Sequence, residues 1–172
     1  MMRACLSWTV FFILLIESFG ELQYSVLSKI AKSCCGDSRA CCLDTIMFNK
    51  SLNCSFGFHR LRHAAKCLQE KLYGVTDTEK LQILDIKCCH VFMEDENDQE
   101  DICLRTCMEV MKRPSFGAAQ KNEMVKKCAL INPLYGCFSR CIDKSRKGHN
   151  TGKLFFDDYC QKSHLRKRQY DD

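Results

Sequence analysis

Only two prolines and eight glycines occur in the whole chain. A collagen-like fibre or a loop-dominated knottin needs far more of both. No Cys-x-x-Cys is present, which removes the thioredoxin-type redox motif and the usual paired-thiolate zinc site. No Ser-Gly dipeptide and no Gly-x-Ser-x-Gly nucleophile elbow occur either. Beyond residue 20 no stretch is apolar enough to span a bilayer. The ending, with Arg166-Lys167-Arg168 and then Asp171-Asp172, lacks the hydrophobic tail of a GPI signal.

What the chain has instead is cysteine, 15 in 172 residues, with a formal net charge of +5. Residues 1–20 read as a signal peptide: Arg3 in a short charged start, an apolar run from Trp8 to Ile16, then small residues at Ser18 and Gly20. Cleavage after Gly20 removes Cys5. Fourteen cysteines stay: Cys34, Cys35, Cys41, Cys42, Cys54, Cys67, Cys88, Cys89, Cys103, Cys107, Cys128, Cys137, Cys141 and Cys160. An even set in an oxidising compartment predicts up to seven disulfides, whose connectivity spacing alone leaves open.

Helical periodicity dominates, and the expected fold is all-α: six to seven short helices cross-linked by disulfides in a single domain over 21–172. Leu22, Val26, Leu27 and Ile30 mark a first helix, and Cys41 to Phe48 a short second one. Phe58, Leu61, Ala65, Leu68 and Leu72 form a stripe that Gly74 closes with a left-handed cap. Thr76 to Glu79 matches a capping box for a helix burying Leu81, Leu84, Cys88 and Phe92. Further helices are expected over 98–112, with Asp98 as cap, and over 117–130, 134–144 and 153–166. Cys103/Cys107 and Cys137/Cys141 each share one helical face, so the expectation is an antiparallel double staple of Cys103 to Cys141 and Cys107 to Cys137. The doublets Cys34-Cys35, Cys41-Cys42 and Cys88-Cys89 each tie two different neighbours.

The candidate sites are those of a secreted glycoprotein. Asn49-Lys50-Ser51 and Asn53-Cys54-Ser55 are glycosylation sequons, Asn49 being the better acceptor. His59 and His63 have the spacing of a zinc-protease helix, but Arg60 stands where the general base belongs. Cys88-Cys89-His90 lacks the aspartate and the calcium loop of a secreted phospholipase A2. No catalytic residue, metal or cofactor is therefore assigned. The acidic run Glu94 to Asp101 reads as a solvated loop. The basic C-terminal tail, about 162–172, offers Lys162, Arg166, Lys167 and Arg168 to a glycosaminoglycan. A lipid carrier would need a cavity among Phe48, Phe56, Phe58, Phe92, Phe138 and Phe155.

From Cys103 to Cys160 the order Cys-x3-Cys, Cys-x8-Cys-x3-Cys and a later Cys resembles the cysteine-rich domain of secreted chondroitin-proteoglycan-type proteins of nematodes. The absence of Ser-Gly leaves no chondroitin attachment point, and the resemblance transfers no functional residue. The expected function is a secreted, non-enzymatic binding protein: a ligand, carrier or receptor-engaging factor. Its expected partner is an extracellular protein or cell-surface receptor, with no role for nucleic acid. The alternative is a structural component of extracellular matrix or of an egg or cuticle coat.

Overall fold

A computed structural model describes residues 23–95, 100–146 and Cys160. In chain order its α-helices are α1 (23–35), α2 (Arg39–Met47), α3 (Phe58–Tyr73), α4 (Val75–Thr78), α5 (Ile102–Met111), α6 (Ala118–Lys126) and α7 (Tyr135–Arg146). A 3-10 helix, Ile83–Glu94, lies between α4 and α5, and shorter 3-10 turns follow α1 and α6. Among the described residues there is no strand, so the fold is all-α, as the periodicity predicts. The expected signal peptide, the Asp98 cap and the last helix over 153–166 lie outside the described residues.

α3 forms where its stripe requires, turning Ala64, Ala65, Leu68 and Gln69 inward. It stops at Gly74, whose φ of 88° only glycine adopts without strain. Its ψ of 163° makes this an extended kink rather than the expected left-handed cap. The kink starts α4 at Val75, so Thr76 falls inside a single turn and its expected capping box does not form. The next helix is instead opened by Asp85, whose carboxylate accepts the Gln82 N–H at 2.9 Å.

That next helix is not α. From Ile83 to Phe92 the buried positions are Ile83, Asp85, Ile86, Cys88, Cys89, Val91 and Phe92, and every third residue, Leu84, Lys87, His90 and Met93, turns outward. A repeat of three is the turn of a 3-10 helix, in which residues i and i+3 eclipse. Two of every three side chains then face the protein, which buries both members of the Cys88-Cys89 doublet.

Two apolar cores result. Ala31, Leu43, Ile46, Leu52, Ala64, Leu68 and Ile83 fill one among α1, α2 and α3. The other gathers Val91, Phe92, Val110, Met111, Val125 and Phe138 among the 3-10 helix, α5, α6 and α7, with the Phe92 and Phe138 rings stacked 5.5 Å apart. The disulfides follow the same division. Cys34–Cys67, Cys35–Cys42 and Cys41–Cys54 staple the first core. Cys88–Cys141, Cys89–Cys107, Cys103–Cys128 and Cys137–Cys160 staple the second.

The doublets do tie different neighbours, but the double staple of Cys103 to Cys141 and Cys107 to Cys137 does not form. The 3-10 helix packs against both α5 and α7, so Cys88 meets α7 and Cys89 meets α5. With Cys107 and Cys141 taken, Cys103 reaches α6 and its following turn at Cys128, and Cys137 reaches Cys160. Each cysteine of an i,i+4 pair thus serves a different partner.

Candidate functional site

The two cores meet across a polar seam. Gln69, 1% exposed on α3, donates from Nε2 to Asp77 Oδ2 and to the Leu81 carbonyl, both at 2.8 Å. Its Oε1 accepts from Lys121 Nζ of α6 at 2.6 Å. Both Asp77 oxygens accept the Ala118 N–H, at 3.0 and 2.9 Å. A carboxylate from α4 thereby caps α6, whose own N-cap, Gly117, has no side chain to offer. Tyr73 crosses close to Gly117: a Cβ there would meet the ring at 3.2 Å and have to push it aside by a few tenths of an ångström. The Tyr73 hydroxyl donates onward to the Ser115 carbonyl. A second bridge uses the sequon loop. Leu52 N–H donates to the Lys112 carbonyl just past the end of α5 at 2.9 Å, and Ser51 Oγ donates at 3.2 Å to the Glu109 carbonyl, which also accepts the Lys112 N–H.

Burial sets the charges in this seam. It pulls the Lys121 amine down to about 8, against the opposing pull of Asp77 and Asp85. It pushes the Asp85 carboxyl up, opposed by the Gln82 N–H and then by Arg146, whose Nη2 stands 3.5 Å away. An amine near neutrality is the raw material of a catalytic lysine. Lys121, however, is 1% exposed and held by Gln69, so its contacts are those of a structural tie. Beside it opens a cleft of about 380 Å³, floored by Leu81, Phe138 and Ile142 and rimmed by Lys80, Asp143 and Arg146. Ser139 also lines this cleft, and no histidine is among its lining residues.

The residues singled out in the sequence fall elsewhere. Asn49 and Asn53 are both exposed, on a loop where Asn49 takes a φ of 52°. His59 and His63 are exposed on α3, and no cluster of three or more metal-ligating side chains occurs among the described residues. The described phenylalanines among the six do not line one common cavity. Phe92 and Phe138 are packed in the second core, whereas Phe48 and Phe58 are each 61% exposed and Phe155 lies outside the described residues. Lys162, Arg166, Lys167 and Arg168 also lie outside them. Gln69, Asp77 and Lys121 carry no local signal in the sequence: each is a polar side chain on a helix, and only the packing of α3, α4 and α6 brings them together.

Comparison with known proteins identifies the fold's relatives. The family model "Caenorhabditis elegans Her-1" matches residues 23–164. Protein her-1 of Caenorhabditis elegans is 30% identical over 165 residues, spanning 90% of this chain and 93% of the relative. The crystal structure of C. elegans HER-1 superposes with a TM-score of 0.68 at 29% identity, covering 79% of this chain and 98% of that one. These matches span both cores and overturn the resemblance to chondroitin-proteoglycan-type domains. That resemblance reached only the last seventy residues, on a Cys-x3-Cys spacing that any disulfide-bonded helix face produces. The chain belongs to the Her-1 family.

Proposed function

We propose that this protein is a secreted, non-catalytic binding factor that engages a cell-surface protein. The observation that carries the proposal is the use made of the interior. The described cysteines are consumed in seven disulfides, and the buried polar groups Gln69, Asp77 and Lys121 are consumed in joining two cores. A body so stapled presents a preorganised surface at low entropic cost, which suits recognition. Seven disulfides favour an oxidising compartment. No described helix is long and apolar enough to cross a membrane. The likeness to HER-1 reaches both cores, which supports treating 21–172 as one working unit.

The test is direct. The full chain, expressed in secretory cells, is expected in the medium, with mass removed by a glycosidase at Asn49 and, to a lesser extent, at Asn53. Labelled protein is expected to bind responsive cells saturably and to be displaced by unlabelled protein. Uptake that rises linearly without saturation on every cell type tested would sink the proposal.

A further inference from the structure

We infer that the outer face of α3, with the segment leading into it, docks an acidic patch on the partner protein; this rests on the receptor-engaging function proposed above and narrows it to one surface. From Thr45 to Gln69 the chain contains no Asp or Glu, while Arg60, Arg62 and Lys66 supply positive charge and His59 and His63 stand among them; Lys50, also in this stretch, is paired with Asp44 at 2.8 Å. The helix sorts these residues by face. Ala64, Ala65, Leu68 and Gln69 point inward, leaving Phe58, His59, Arg60, His63 and Lys66 exposed. The positive face ends at Glu70, which pairs with Lys66 at 3.6 Å.

Aromatic rings are interleaved with these cations. The Arg62 guanidinium lies 5.7 Å from the centre of the Phe58 ring, and that of Arg60 lies 4.6 Å from the Phe56 ring. A guanidinium laid on a ring keeps its edge donors in a plane, ready to grip a carboxylate bidentately, and it sheds water more readily than an ammonium. Arg60 is further fixed by donating to the Cys35 carbonyl at 3.2 Å. Phe58 stays 61% exposed at the first position of α3, where a polar residue would serve the helix equally well. Exposed phenylalanine beside preorganised arginine is the composition of a protein-binding hot spot. A sulfated polysaccharide is held by a row of cations and gains little from such a ring. A second copy docked symmetrically through this face brings the same positive charge, and the two would repel.

The experiment compares cell binding by the unsubstituted chain, by Arg62→Glu, by Phe58→Ala, and by Lys126→Glu on α6 as a charge-matched control. Non-reducing gels and thermal melting check that all four are folded. Arg62→Glu and Phe58→Ala are expected to weaken binding about tenfold or more, with Lys126→Glu unchanged. Saturable binding that all variants retain overturns the surface but leaves the function standing. No saturable binding by the unsubstituted chain overturns both. If treating the cells with heparin and chondroitin lyases abolishes binding, the occupant is a polysaccharide. If sedimentation shows self-association that Arg62→Glu abolishes, the occupant is a second copy. Either result overturns the acidic protein partner.

Discussion

Lys121 shows how one residue's surroundings set a measurable property. Its amine is drawn from 10.5 to about 8 by burial, so the folded state holds this proton less tightly than the unfolded state does. Below about pH 8 the cost of burying the charge is fully present. Between pH 8 and 10.5 the unfolded chain binds more protons, and stability therefore rises with pH. The slope from one such group is at most about 1.4 kcal/mol per pH unit. Urea denaturation at several pH values is expected to show the unsubstituted chain gaining stability relative to Lys121→Met across this window. A pH-independent difference would mean that the amine does not titrate in the seam. Gly74 makes a conformational point instead. Its φ of 88° with ψ of 163° is essentially reserved for glycine, so Gly74→Ala is expected to cost about 1–3 kcal/mol although nothing obstructs a Cβ. Gly57→Ala, at φ −60° and ψ 154° with open space around it, is expected to cost no more than about 0.5–1 kcal/mol, the lower unfolded-state entropy offsetting alanine's poorer fit as the N-cap of α3. Equal losses at the two positions would contradict the strain at Gly74.

Among the elements, the 3-10 helix Ile83–Glu94 separates what was legible in the sequence from what was not. The stripes of α3 and α7 are strong, and those helices lie close to where periodicity puts them. The stretch after Gly74 offered Leu81, Leu84, Cys88 and Phe92 at α-helical spacing, but a tighter repeat ran beneath it. Ile83, Ile86, Cys89 and Phe92 recur at every third residue, as do Asp85, Cys88 and Val91. Both rows are buried, which is why the doublet needs two partners and why the α5–α7 staple could not form. The period of three runs over four turns in the residues, and it differs from both the α-helical and the strand repeat. The tight turn also predicts a sharp contrast between neighbours. Phe92 is 0% exposed and stacks on Phe138, so Phe92→Ala is expected to cost about 3–5 kcal/mol in urea denaturation. Met93 is 59% exposed, and Met93→Ala is expected to change stability by no more than about 0.5 kcal/mol. Similar losses at both would rule out the three-residue repeat.

At the scale of the molecule, no disulfide among the described residues links the chain up to Cys67 to the chain from Cys88 onward. Cutting denatured, unreduced protein after Lys71 and Lys80 is expected to yield no disulfide-linked species containing peptides from both sides, as mass spectrometry would report. One such species refutes the connectivity. If the staples do not join the cores, the seam must. Gln69 and Lys121 contribute a buried, charge-assisted hydrogen bond between α3 and α6, and Asp77 anchors the first N–H of α6. Removing Gln69 together with Lys121 avoids a buried, unpaired amine, but it takes from Asp77 Oδ2 and the Leu81 carbonyl the donor that Gln69 supplies, so overall stability is expected to fall by about 1–3 kcal/mol. Coupling is a separate quantity. In Gln69→Leu/Lys121→Leu the apolar contacts of each core and the Asp77–Ala118 and Leu52–Lys112 hydrogen bonds persist, but the side-chain tie between α3 and α6 is gone. Native-state hydrogen exchange in rising denaturant is expected to find α3 and α5 opening together in the unsubstituted chain. In the double variant α3 and α5 should open separately. If their exchange stays merged in the double variant, the seam fills space between the cores but does not couple them.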